Sequence, residues 1–186
     1  MKQLLFLFSV LILVASCGED DDGLGRITFI GRADGWKIVS INSNLESSSA
    51  AALADLTDAE LAAANQTREE VAERLGTVTE EQTAVDDCDR DDIIFFLENG
   101  QMRIIRGGVT CPGGDLTVLE DFNDNFFSTD LAATELKIRN PDGVDQFMFS
   151  INELTADSFV FSGTRIYVDG LVGAVIYEIA YTLEAN

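Results

Sequence analysis

The chain has 186 residues with 33 acidic and 12 basic side chains, a net charge of −21, and no histidine. A surface this anionic repels a polyanion, which argues against nucleic acid as a partner, and the missing imidazole removes histidine-based triads, histidine general bases and imidazole zinc sites. An apolar share of 46% is too high for a wholly disordered chain, and the length suits one domain with its own core.

Met1-Lys2-Gln3 gives a short positive start, and Leu4 to Val14 is apolar except for Ser9. That run has the length of a secretory signal rather than of a membrane span, so residues 1–16 are expected to be removed. Loss of Lys2 leaves the mature chain more acidic still. The run ends in Leu13-Val14-Ala15-Ser16-Cys17, which resembles the bacterial lipobox, in which the cysteine receives a diacylglyceryl group and becomes the new N-terminus. Cys17 is therefore the expected lipidation site. Several acyl chains on one residue would anchor the chain stably, since each buried methylene contributes about 0.8 kcal/mol. Residues 17–25 contain Gly18-Glu19-Asp20-Asp21-Asp22-Gly23, too polar and glycine-flanked to pack, and are read as a solvated tether. The tract also resembles the acidic export tag of Bacteroidota surface lipoproteins. The resemblance implies an outer-membrane, lipid-anchored protein at the cell surface, with a periplasm-facing anchor as the alternative; either compartment permits disulfides.

Residues 26–186 read as the folded domain. Arg26–Ile30 and Trp36–Ile41 are short and rich in β-branched and aromatic residues, as strands are. From Ser47 to Leu75 alanine, leucine and glutamate dominate. Two capping-box spacings, Thr57 to Glu60 and Thr67 to Glu70, mark helix starts there, and Gly76 stands where a helix stop belongs. A helical insert over about 45–76 is expected, its apolar stripe of Leu53, Leu56, Leu61, Val71 and Leu75 packed on the main body.

Strands then follow one another. Asp92–Leu97 and Met102–Ile105 flank an Asn99-Gly100 turn, and Leu136–Arg139 and Gln146–Ile151 flank Asn140-Pro141-Asp142-Gly143. Ser158–Ser162 and Val175–Leu183 complete the set, with Tyr177, Ile179, Tyr181 and Leu183 alternating onto one face of the last strand. The expected fold is all-β: an antiparallel up-and-down meander closing into a β-barrel or flattened sandwich, with a short α-helical insert.

With Cys17 lipidated, Cys88 and Cys111 remain, and an even number in an oxidising compartment implies one disulfide bond. Both cysteines fall at the open end of the Asn99-Gly100 hairpin, where a bridge is worth about 3 kcal/mol in the chain-entropy model. Thiol catalysis would need an activating partner, and the chain has neither histidine nor a Cys-x-x-Cys pair.

In order along the chain come Asp34-Gly35-Trp36-Lys37-Ile38, the helical stretch, Cys88-Asp89-Arg90-Asp91-Asp92 leading to Asn99-Gly100, and then Cys111. Phe147–Leu154 and Asp157–Phe161 close the series. This arrangement resembles the lipocalin-like domain common among Bacteroidota lipoproteins, over most of residues 34–185, and implies a lipocalin-like barrel. Two features depart from it: the helical insert is long, and Phe126-Phe127 stands where a middle-strand tryptophan is expected.

The carboxylates of Asp86, Asp87, Asp89, Asp91 and Asp92 are hard oxygen ligands dense enough to suit Ca²⁺, but a solvated turn held by the disulfide explains them more simply. Asp121-Phe122-Asn123-Asp124-Asn125 spaces its oxygens like a calcium loop, yet Phe126 replaces the turn glycine and Ala132 the bidentate glutamate. No metal site, catalytic residue or cofactor is expected, and no motif selects a carboxylate pair for glycoside hydrolysis. Two non-enzymatic functions are expected. One is a barrel holding a small apolar or amphipathic ligand against residues such as Phe147, Phe149, Tyr177 and Tyr181, the same residues a filled core would use. The other is a surface interaction or accessory module for adhesion or an outer-membrane complex, acting through the insert or the strand loops.

Overall fold

A computed structural model of the protein describes residues 28–111 and 122–186. Cys17, the signal segment 1–16 and the tether 17–25 lie outside the described residues, as do Arg26 and Ile27 of the first expected strand and Asp121 of the Asp121–Asn125 motif. The elements run β1 (Trp36–Ser43), α1 (Leu45–Asp55), α2 (Asp58–Ala63), α3 (Arg68–Thr83), α4 (Asp87–Arg90), β2 (Ile93–Phe96), β3 (Met102–Ile105) and β4 (Phe126–Thr129). They continue with β5 (Glu135–Arg139), β6 (Asp145–Leu154), β7 (Ser158–Asp169) and β8 (Gly173–Ala185).

The eight strands form one antiparallel sheet in the order β3-β2-β1-β8-β7-β6-β5-β4, so each strand lies beside its neighbour in sequence and β1 returns to pair with β8. The two outer strands, β3 and β4, meet at one end. There Gln101 bridges Phe126, Met102 N donates to Asn125 O at 2.7 Å, and Phe127 N donates to Gly100 O at 2.6 Å. The result is a nearly closed, all-β, lipocalin-like up-and-down barrel, the first of the two closures that the strand pattern allowed.

Alternation fills its interior. On β8, Val175, Tyr177, Ile179, Tyr181 and Leu183 are buried, whereas Ile176 is 65% exposed. Phe161 stands at the centre, with ring centroids 4.9 Å from Phe159, 5.2 Å from Phe149 and Tyr181 and 5.9 Å from Phe122. Phe159 carries the cluster onward to Trp36 and Phe96, both at 5.6 Å. Most of these pairs are edge-to-face or tilted, the arrangements that the ring quadrupole favours.

The expected strand over Arg26–Ile30 is corrected: Thr28–Ile30 form a helical turn. In the barrel β1 is already paired on both edges, by β2 and β8, and Ile30 is buried by packing instead, its carbonyl accepting from Trp36 Nε1 at 3.0 Å. The helical insert is longer than expected. Both capping boxes form, but α3 passes through Gly76 to Thr83. A mid-helix glycine costs about 1 kcal/mol, and here the packing of Val78 against the barrel core holds the helix beyond it.

Two strand features exceed the expected pattern. Phe126–Thr129 forms β4, and β7 with β8 extends well past its neighbours: pairing of β6 with β7 ends at Phe149 and Gly163, that of β1 with β8 at Ser43 and Ile179. The helices pack on this projecting hairpin, where Leu61, Val71 and Leu75 form a second small core with Tyr167, Leu171 and Val172. Arg74 pairs with the buried carboxylate of Asp169, whose other oxygen accepts from the amides of Leu171 and Val172 at 2.8 and 2.9 Å.

Truncating the central ring should therefore cost far more than truncating an outward aliphatic. Phe161→Ala should lower unfolding free energy by about 3–5 kcal/mol, and Ile176→Ala should change it by no more than about 0.5 kcal/mol, read from urea denaturation. Equal losses would contradict a packed barrel centre.

Candidate functional site

Among the described residues, free space opens at the closure seam. A cavity of 440 Å³ opens between the helical turn Thr28–Gly31, the end of β2 with its hairpin (Phe96, Leu97, Glu98, Gly100) and strand β4 (Phe127, Thr129). Its walls are mainly apolar. Phe96 and Phe127 meet edge-to-face, with centroids 5.1 Å apart at 89°.

Each wall is fixed by local chemistry. The Asn99-Gly100 turn forms as expected, Gly100 adopting φ +80°, a conformation a side chain would strain. The segment after the helical turn is held by Arg32, which donates to Ala156 O at 2.6 Å and lies 5.0 Å over the Trp36 ring. At the end of β4, Asp130 accepts from the Thr134 hydroxyl and amide, both at 2.6 Å, and from the Glu135 amide at 2.9 Å. The Thr134 hydroxyl and the Glu135 amide hold the Asp130 carboxyl down at about 2.

The four residues expected to line a ligand space are divided. Phe149 and Tyr181 belong to the ring cluster around Phe161, and Tyr177 is buried in the same core. Phe147 lies under the Arg165 guanidinium at 3.5 Å. Phe147 and Phe149 also border a depression of 370 Å³ with Met148, Ser162 and Thr164, more open to solvent than the seam cavity. The sequence reading did not place Phe96 or Phe127 at a site.

Cys88 and Cys111 lie at disulfide distance, Sγ to Sγ 2.03 Å, with Cα atoms 5.2 Å apart. The acidic element beside them serves as a clamp. Asp92 accepts from Gly107 N and Asp91 from Val109 N, both at 2.8 Å, so two carboxylates hold the loop that leads to Cys111. A methyl group on Gly107 would come within 2.2 Å of Asp91 Oδ2, so a side chain there would push that carboxylate aside. Asp89, Cys88 and Cys111 place their ligand atoms within 4.8 Å of one another, but the two sulfurs are joined, which leaves a single carboxylate. Asp89, Asp91 and Asp92 thus each give one oxygen to a backbone amide, while Asp89 Oδ1, Asp91 Oδ1 and Asp92 Oδ2 are buried without a hydrogen-bond partner among the described residues.

No family model matches the chain, and neither a curated protein nor a solved structure matches it.

Asp89 is buried, and burial pushes its carboxyl above the ordinary value; the charges of Asp86 and Asp92 push the same way, against the Asp86 amide and Arg106. A carboxyl raised on folding is most favourable below its unfolded pKa, and that contribution is lost as pH rises through the folded value. Asp89→Asn should therefore gain in Tm relative to the natural protein as pH rises from about 4, the ordinary aspartate value, through the raised folded value. A Tm difference independent of pH would contradict this.

Proposed function

We propose that the protein is a non-catalytic lipoprotein of the outer membrane, displayed at the cell surface, whose lipocalin-like barrel holds a small apolar or amphipathic ligand. The observation that carries the ligand reading is the cavity at the β3–β4 seam, lined by Ile30, Phe96, Leu97 and Phe127 and bordered by polar groups. The lipobox-like segment ending in Cys17 supports the anchor, and the acidic tract after it supports surface display. The likeness to Bacteroidota lipoproteins rests on the same sequence motifs.

A second reading, an interaction or accessory module for adhesion or an outer-membrane complex, has its own observation. On the projecting hairpin, Ile166 and Ile176 face each other in register and are 66% and 65% exposed, with Val168 beside them at 72%. Apolar side chains this bare on a protruding element suit a protein contact.

Native mass spectrometry of protein purified gently from its own envelope separates the two. An extra mass lost on denaturation, and absent from Thr129→Phe, which fills the seam, is the outcome the ligand reading requires. A clean apo mass from both proteins favours the interaction module. Cys17→Ser should abolish membrane fractionation; a variant that still pelleted with outer membranes would refute the lipid anchor.

A further inference from the structure

Resting on the ligand reading above, we infer that the seam cavity takes an amphiphile with a cationic head group, an amine-bearing chain, and discriminates against carboxylate-headed chains such as fatty acids. Three observations converge. Glu98 is the one ionisable side chain among the described residues that line the cavity. It is exposed at the rim, and among the described residues its carboxylate has neither a hydrogen bond nor an ion pair. The chain as a whole carries a net charge of −21, so the potential around any opening favours cations.

Chemistry assigns the two ends of such a ligand. The alkyl part replaces water against Ile30, Leu97 and the rings of Phe96 and Phe127, where the gain is hydrophobic and indifferent to charge. The head remains at the rim beside Glu98. A protonated amine there gains attraction to the carboxylate, whereas a carboxylate head meets like charge. Because Glu98 stands in solvent, the effect is moderate, about tenfold between the two heads rather than many orders of magnitude.

The test uses the mature chain, residues 17–186 without the leader and carrying Cys17→Ser, so that no lipid or detergent competes, and three probes of equal chain length: decylamine, decan-1-ol and decanoate. At about pH 7 the amine is protonated and the carboxylate ionised. Calorimetric titration should give the order decylamine, decan-1-ol, decanoate, with about tenfold between the first and last. The gap should narrow in Glu98→Gln, the remainder being the field of the whole chain, and shrink further in about 1 M salt, where the Debye length falls to about 3 Å. Decanoate binding as tightly as decylamine would overturn the head-group assignment and leave the ligand reading standing. A preference for the amine undiminished in Glu98→Gln would remove Glu98 from the assignment. Failure of all three to bind would sink the ligand reading and this inference together.

Discussion

Pairing of β1 with β8 along the whole of β1 turns a row of hairpins into a barrel, and the remaining structure depends on that closure. Once both edges of β1 are occupied, the inward faces of all eight strands share one interior, and the rings from β6, β7 and β8 meet around Phe161. The segment before β1 then cannot pair with β1, both of whose edges are taken. It becomes a short helical turn whose buried Ile30 is tied to Trp36, closing one end of the barrel near the seam. The same closure leaves residues 164–178 projecting beyond their neighbours, and the helices α1–α3 cover part of that hairpin.

Closure is weakest where β3 meets β4, since these strands join through a single bridge and its flanking hydrogen bonds. Space survives there for the same reason. In the middle of the barrel, rings from opposite walls touch, so a ligand would have to displace well-packed aromatics, at a cost of several kcal/mol. At the seam the walls are a hairpin turn, a helical turn and an outer strand, with fewer inward side chains to meet one another. The disulfide pair and the Asp91–Asp92 clamp fix the other end of the β2–β3 hairpin. One hairpin thus has its open end tied and its turn bordering the cavity.

Much of the fold was legible because its signals are local. The alternation on β8, the Asn99-Gly100 and Asn140–Gly143 turns and the two capping boxes each depend on a few adjacent residues, and each forms in the structure. The pairing of Cys88 with Cys111 followed from their number and from the hairpin between them. What the sequence did not disclose depends on distant contacts. Arg26–Ile30 has strand composition, but whether it joins a sheet is decided by β8, far along the chain. Gly76 resembles a stop, but Val78 reaches the barrel core. The cavity was least legible of all. Tyr177, Tyr181 and Phe149 suit a cavity lining or a filled core equally by pattern, and only the ring-to-ring distances show them filling the core.

The claim that the barrel is filled at its centre and open at its seam is tested most directly by two-dimensional NMR of the domain during titration with decan-1-ol, a neutral probe. The account predicts that shifts concentrate on the amides of Ile30, Gly31, Leu97, Glu98, Gly100, Phe127 and Thr129. Shifts centred instead on Phe149, Phe161 and Tyr181 would place the ligand space in the barrel's middle and contradict it.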